Sequence, residues 1–271
     1  MTVSERPATG RGLDKVVGSA AEAVADIGSG SLLAVGGFGL SGNPSSLIDA
    51  LLAQGADDLT VVSNNCGIEG VGLGVLLGAG RLRKMVASYV GENKDFESQY
   101  LGGTLEVELN PQGTLAERLR AGGSGVAAFY TPTGVGTQFA LGGLPQVYNA
   151  DGSVAKASAP KETRTFVVDG EPRSYVLEEA IRADFALVHA LVADRHGNLV
   201  FNKSSRNFNP LAAMSGKVTI VEAEEIVEPG ELDPDDIHLP GVFVHRLVHA
   251  PATEGSKPIE KRTVRTENEE A

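Results

Sequence analysis

Gly36-Gly37-Phe38-Gly39-Leu40-Ser41-Gly42-Asn43-Pro44 joins an apolar run, Leu32-Leu33-Ala34-Val35, to a helix-like run, Ser45 to Leu52. A glycine turn between a strand and a helix start brings backbone N–H groups close to an anion, at a helix end carrying about half a positive charge. Asn43 is placed to N-cap that helix, with Pro44 at its first position and Gly55 ending it.

Outward from this turn the same unit repeats. Leu59-Thr60-Val61-Val62 predicts a strand ending in Ser63-Asn64-Asn65, and Val71 to Leu77 a short helix or glycine-broken turn. Lys84 to Val90 predicts a strand, Asp95 to Leu101 a helix, and Leu105 to Leu109 a half-buried strand ending in Asn110-Pro111-Gln112-Gly113. Thr114 to Arg120 predicts a helix and Val126 to Tyr130 a strand. Upstream, Val16 to Ile27 has helical spacing, and Met1 to Gly12 is polar and loose.

Four or five β-α units with short links imply an α/β fold, an open, mostly parallel sheet flanked by helices. Residues 138–176 break the rhythm and predict an antiparallel excursion over one end of the sheet. Tyr175 to Arg182 predicts a helix, Phe185 to Val192 a buried strand, and Asp194 to Asn198 a hairpin turn with Gly197 at positive φ. Val218 to Val221 and Val242-Phe243-Val244 predict the last core strands. The expected division is one domain over 1–250 and a polar, mobile tail over 251–271.

The chain has 271 residues, 42% of them hydrophobic, enough for a sizeable core. A net charge of −12 argues against a nucleic-acid role, which needs a basic footprint. Cys66 is the one cysteine, which leaves no internal disulfide and no cysteine-based metal site. With no apolar leader and no run approaching the ~20 residues of a membrane span, the expected location is the cytoplasm.

Gly37 to Gly42 spell G-x-G-x-x-G, the dinucleotide fingerprint, but that motif needs an acidic residue at the end of the second strand. That strand ends in Ser63-Asn64-Asn65, so the reading fails its own test. There is no G-x-S-x-G elbow and no phosphate-binding G-x-x-x-x-G-K-[ST] loop. His189, on an apolar strand, is expected to be a satisfied core residue, and His196 a turn residue. Structural roles are favoured for His238, His245 and His249 as well. Glu222, Glu224 and Glu225 are expected to form a solvated edge, and Cys66 a small buried apolar group.

The stretch Val35 to Pro44 resembles the first signature of the family I coenzyme A transferases: Gly30, the triplet Leu33-Ala34-Val35, Gly36-Gly37-Phe38 and Gly42-Asn43-Pro44 match it. Ser29 stands where that signature has Asp or Asn, a turn position that serine also serves. The resemblance continues through Val62 to Asn65, Ser88 to Asn93, Glu106 to Arg118, Ala128 to Gly134, Asp184 to Val188, Ser205 to Asn209 and Asp236 to Pro240, over roughly residues 16–249. These stretches are similar to alpha subunits of the succinyl-CoA:3-oxoacid branch. Tyr89-Val90-Gly91-Glu92-Asn93 favours it over the 3-oxoadipate branch.

The resemblance implies a transferase that moves CoA from succinyl-CoA to a 3-oxoacid such as acetoacetate, with CoA as substrate and no resident cofactor. The family's nucleophile is a glutamate in a Ser-Glu-Asn-Gly motif of the beta subunit, and this chain lacks that tetrapeptide. A partner beta subunit is therefore implied. By position alone Gln112 is a turn residue; the resemblance makes it the amide donor to the reaction's oxyanions. Asn64 and Asn65 are either turn-makers or holders of the acid or acyl group. Gly36, Gly37, Phe38, Gly39, Leu40, Ser41 and Gly42 would form a wall for the CoA arm or acyl group, and Glu92 and Asn93 would border the site. The alternatives are one half of an acetate- or 3-oxoadipate-type transferase, or a non-catalytic CoA- or nucleotide-binding α/β module.

Overall fold

The structure, a computed structural model, describes residues 13–91 and 93–251. The expectations for Met1 to Gly12, for Glu92 and for the tail from Ala252 onward fall outside the described residues. In chain order the elements are α1 (Ala20–Val24), β1 (Leu32–Val35), α2 (Ser45–Gln54), β2 (Leu59–Val62), α3 (Gly74–Gly78), β3 (Leu82–Ala87), α4 (Lys94–Leu101), β4 (Glu106–Leu109) and α5 (Gln112–Gly123). There follow β5 (Ala128–Thr131), α6 (Gln138–Leu141), β6 (Pro145–Tyr148), β7 (Val154–Ala157), β8 (Thr163–Val168), β9 (Glu171–Glu179), β10 (Ala183–Asp194), β11 (Leu199–Val200), α7 (Asn209–Ser215), β12 (Gly216–Val227) and β13 (Arg246–His249).

The main sheet has the order β13-β12-β10-β1-β2-β3-β4, with every neighbouring pair parallel. Short β11 adds antiparallel to β10 through the turn at Gly197. Alternate residues of a strand face opposite sides. Leu33, Val35, Val61 and Met85 pack with Leu47, Leu51, Leu76 and Phe96 on one face. Ala34, Val62, Val86 and Ala186 pack with Leu115 and Leu119 of α5 and Ala212 and Ala213 of α7 on the other. A strand covered on both faces reads as an unbroken apolar run, which is why β1 and β2 show no alternation.

After β1 the chain moves out through β2, β3 and β4, then returns to lay β10 on the other side of β1. Strand order reverses at that point, and the carboxyl ends of strands beside such a reversal are where α/β sheets gather ligands. The Gly36–Gly42 segment leaves β1 there.

Several local expectations need correction. The helix predicted over Val16 to Ile27 shrinks to α1: Val16 pairs with Leu247 in a strand-like bridge, Gly18 breaks the run, and Ser19 caps the helix by accepting from Glu22 N at 3.1 Å. Val126 to Tyr130 does not continue the parallel sheet; β5 pairs antiparallel with β9 in a separate three-stranded sheet. Tyr175 to Arg182 is not a helix. Its first part is the end of β9, held by ladders to both β5 and β8, and these pairings override the helix-forming Leu177-Glu178-Glu179-Ala180. Val242-Phe243-Val244 is no strand: Gly241–Phe243 is a 3-10 turn, and the edge strand is β13. The antiparallel excursion itself is present, built from β5 to β9.

The start of α2 is also capped differently. Pro44 takes the N-cap position, and the Asn43 amide turns back to donate to Gly39 O at 3.2 Å. The cap comes from across the sheet: Glu222 Oε2 of β12 accepts from Leu47 N, in the first turn of α2, at 3.0 Å. Glu222 is 3% exposed, so it is no solvated edge. Its Oε1 lies 3.0 Å from Nδ1 of His189, whose Nε2 lies 3.2 Å from Glu224 Oε1. His189 is the satisfied core residue expected.

Beneath the loop, buried Asn209 bonds three backbone groups: its Oδ1 accepts from His189 N at 3.0 Å, and its Nδ2 donates to Gly42 O at 3.0 Å and Ser205 O at 2.8 Å. A Cβ at Gly36 would overlap Asn209 Oδ1, whereas Gly39, at φ +60°, has open space around its missing side chain. Gly36→Ala should therefore lower unfolding stability by about 3 kcal/mol through overpacking. Gly39→Ala should lower it by about 1 kcal/mol through backbone strain. Urea unfolding of the two variants checks this, and equal losses would show that the contact with Asn209 does not limit the loop.

Candidate functional site

Four neighbouring strands deliver polar turns side by side: β1 into Gly36–Gly42, β2 into Ser63-Asn64-Asn65, β3 into Ser88, and β4 into Asn110-Pro111-Gln112. Asn64 is 2% exposed, and its Oδ1 accepts from Ser88 Oγ at 2.7 Å and from Gln112 Nε2 at 2.8 Å. Gln112 itself is exposed and is the first residue of α5, not a turn residue. Its amide thus stands at the positive end of a twelve-residue helix. An amide nitrogen carries two hydrogens, and Asn64 takes one of them.

Asn65 does a different job. Its Oδ1 accepts from Gly39 N at 3.1 Å and braces the glycine turn. That turn is closed by two bonds, Phe38 N to Ser41 O and Ser41 N to Phe38 O, both 3.0 Å. Ser41 O also accepts from Asn207 Nδ2 at 3.1 Å. Gly36, Gly37 and Gly42 are buried, Leu40 and Ser41 partly so, and Phe38 stands out at 48% exposure rather than in the core. Asn93 caps α4 by accepting from Phe96 N at 3.0 Å and donates to Cys66 O at 3.3 Å, both structural contacts.

The structure thus brings Gln112 and Asn64 together and sets Asn65 with the glycine wall. Sequence reasoning missed Ser88 as a member of this cluster. Its signal was positional: it follows a parallel strand just as Asn64 and Gln112 do. Several of the N–H groups that an anion would use are already taken within the chain: Leu47 N of α2 by the Glu222 carboxylate, and Phe38, Gly39 and Ser41 N of the loop by Ser41 O, Asn65 Oδ1 and Phe38 O.

The turn that presents Gln112 is fixed by charge. Glu108 of β4 bonds Lys84 Nζ of β3 at 2.6 Å and Arg118 Nη1 of α5 at 2.9 Å. Arg118 also donates to Asn110 Oδ1 at 2.7 Å and to Glu179 O at 2.8 Å. Burial raises the Glu108 carboxyl, but the bonds and charges of Lys84 and Arg118 outweigh it and hold the group down to about 2. A cavity of about 520 Å³ opens beside this cluster, lined in part by Glu108, Glu162, Glu178 and Glu179 against Arg118 and Lys161. Its surplus of carboxylates disfavours an anionic ligand, and neither Gln112 nor Asn64 lines it. Cys66 is fully buried, and burial pushes its thiol up to about 12.

Among the described residues no helix is long and apolar enough to cross a membrane. Residues 17–250 match the Coenzyme A transferase family. The chain is 63% identical over 253 residues to one subunit of the probable succinyl-CoA:3-ketoacid coenzyme A transferase of Mycobacterium tuberculosis, covering 93% of this chain and 100% of that one. It is 52% identical to the human mitochondrial succinyl-CoA:3-ketoacid coenzyme A transferase 2, covering 92% of this chain and 47% of that one. In fold it resembles glutaconate coenzyme A-transferase from Acidaminococcus fermentans, with a TM-score of 0.70 at 23% identity over 88% of this chain and 76% of that one.

Two outcomes follow from the charges at this end of the sheet. A carboxylate held below its ordinary 4.5 stabilises the fold fully above that value and loses the contribution as pH falls towards about 2. The stability difference between the native chain and Glu108→Gln should therefore be largest above pH 4.5 and shrink between 4.5 and about 2. Urea titrations across that range read it, and a flat difference would show that the ionised carboxylate is not what Lys84 and Arg118 hold. Cys66 should resist an aromatic disulfide reagent at pH 8 in the folded protein and react once denatured; rapid labelling of the native chain would contradict its burial.

Proposed function

The chain belongs to the coenzyme A transferase family, and we propose that it is the alpha subunit of a heteromer that moves CoA from succinyl-CoA to a 3-oxoacid such as acetoacetate. The nucleophile is a glutamate in a Ser-Glu-Asn-Gly motif of the beta subunit, a tetrapeptide absent from these 271 residues. The observation that carries the reading is the Gln112 amide, fixed by Asn64 at the head of α5, beside a glycine wall at the switch point of the sheet. Two further facts support it: similarity over the full length of a protein named as one subunit of such a transferase, and coverage of 47% of the human chain.

The chemistry is acyl transfer in four additions. The partner's glutamate attacks the acyl-CoA carbonyl, and the CoA thiolate leaves to give a mixed anhydride. The thiolate then attacks the glutamyl carbonyl and releases succinate. The 3-oxoacid carboxylate repeats the sequence in reverse and leaves as the new thioester. Each addition passes through an oxyanion.

Gln112 donates the second hydrogen of Nε2 to that oxygen, and Asn64 and Ser88 hold the amide for it. A neutral amide does this without titrating, and one such donor is worth about 3 kcal/mol in the transition state. Gly36 to Gly42, with Phe38 at the tip, provide the wall along which the CoA arm or acyl group lies, and Asn65 keeps that wall in place.

Co-expression with a beta chain carrying Ser-Glu-Asn-Gly should give exchange between succinyl-CoA and acetoacetate, read as thioester absorbance across a panel of acids. No exchange with any acyl-CoA would end the transferase reading, and full activity of this chain alone would end the heteromer. In the active complex, Gln112→Ala should lower kcat about 100- to 1,000-fold with thermal stability unchanged, because the side chain is exposed. An unchanged kcat removes Gln112 from the site.

A further inference from the structure

The parallel strands β10, β12 and β13 begin at the end of the sheet opposite Gln112 and Asn64. A cavity of about 570 Å³ opens there, between these strand starts and Gly123, the last residue of α5. That volume is in the range of small-molecule sites. Its ionisable lining is Arg182, just before β10, Lys217 of β12, His245, just before β13, and Arg246 of β13. No carboxylate lines it, in a chain with 35 acidic and 23 basic residues. The cavity beside Glu108 has the opposite character, with four glutamates in its lining.

The four basic groups are engaged to different degrees. Arg246 is taken: it bonds both carboxylate oxygens of Asp26, at 2.6 and 2.7 Å, and Ala23 O at 2.7 Å. Lys217 Nζ gives one of its three hydrogens to Asp184 at 2.8 Å. Nδ1 of His245 accepts from Thr219 N at 3.0 Å, so the donor of that ring is Nε2. Arg182 is exposed, and among the described residues its side chain has no hydrogen-bond or ion-pair partner. Its planar fork of N–H groups matches the oxygens of a carboxylate or a phosphate. Beside these donors the lining is apolar, with Val218, Phe243 and a Val242 that is 79% exposed at the rim.

We propose that this cavity binds a small organic anion, its carboxylate or phosphate head held by Arg182, Lys217 and the His245 ring and its aliphatic body laid against Val218, Val242 and Phe243. The head follows from the sign of the lining. An anion here meets only cations and donors, whereas the chain as a whole, at a net charge of −12, repels it. Carboxylate and phosphate share the chemistry that matters, two oxygens that take two parallel hydrogens from one guanidinium. The body follows from the apolar side of the cavity, which an inorganic ion would leave uncovered. The site is separate from Gln112, Asn64 and the glycine loop, and it does not rest on the transferase reading.

The full chain is titrated by calorimetry at low salt with hexyl phosphate, hexanoate, inorganic phosphate and hexylammonium. The expected result is one site per chain for hexyl phosphate or hexanoate, at a Kd of about 1 mM or tighter, and the tighter of the two identifies the head. Inorganic phosphate, without the aliphatic body, and hexylammonium, with the wrong sign, should each bind at least about tenfold more weakly. Arg182→Ala should weaken binding of the organic anion about tenfold, the loss of a charged hydrogen-bond donor. Val242→Asp, which sets a carboxylate at the rim, should abolish it. Both positions are exposed, so both variants should melt with the native chain. Binding of neither organic anion overturns the site. Equal binding of hexylammonium overturns its charge selection, and equal binding of inorganic phosphate overturns the apolar half. Binding that both variants leave unchanged places the ligand elsewhere and overturns the assignment.

Discussion

The geometry of this protein turns on one buried amide. Asn209 satisfies the N–H of His189 in β10, the carbonyl of Gly42 at the end of the glycine loop and the carbonyl of Ser205 in the segment before α7. Each of these backbone groups would cost on the order of 1–3 kcal/mol if buried without a partner. One side chain pairs all three only if the loop passes directly over it, and the loop can pass there only because Gly36 has no Cβ. The loop path in turn fixes where α2 begins, and α2 then presents Leu47 N to Glu222. The place where strand order reverses is thus held by a chain of dependent contacts rather than by any one strong bond.

The same logic explains why the candidate site is made of amides and glycine. Parallel strands buried on both faces leave only their ends for polar groups, so chemistry collects where β1 to β4 stop. Charge is kept one step back. Lys84 and Arg118 pair with Glu108 and lock the Asn110-Pro111 turn, while the group that faces outward, Gln112, is neutral. A charged residue at that place would bind one state of an acyl-transfer reaction far more strongly than the others. A neutral donor at a helix start favours an oxyanion only as it forms.

Much of this was legible in the residues, and most of the failures share a cause. β1, β2 and β10 were readable because strands covered on both faces are continuous apolar runs, and Gly55 and Gly197 marked turns through their backbone freedom. The resemblance singled out Gln112 and Asn64, which the structure sets 2.8 Å apart at the strand ends; position alone made Gln112 a turn residue. Glu222 was misread because an acidic cluster after a strand is solvated unless something distant covers it. The cover is α2, contributed by residues far away in sequence. The Asn43 cap failed because its side-chain amide turns back to the glycine loop and donates to Gly39 O. Tyr175 to Arg182 carries helix-forming residues, and only the pairing of β9 with two other strands decides otherwise. Local chemistry read from sequence is overruled wherever a partner comes from far along the chain.

An exposed Gln112 also constrains what must lie opposite it. A hydrogen bond to a developing oxyanion is weak while water competes for the same oxygen, and it strengthens when a dry surface closes over it. On the proposed reading the beta subunit therefore has two tasks that cannot be separated. It brings the glutamate to the thioester, and it removes water from around the Gln112 amide. A glutamate delivered by a short peptide would perform the first task without the second. Catalysis by this pair should thus depend on the folded partner surface as much as on its nucleophile.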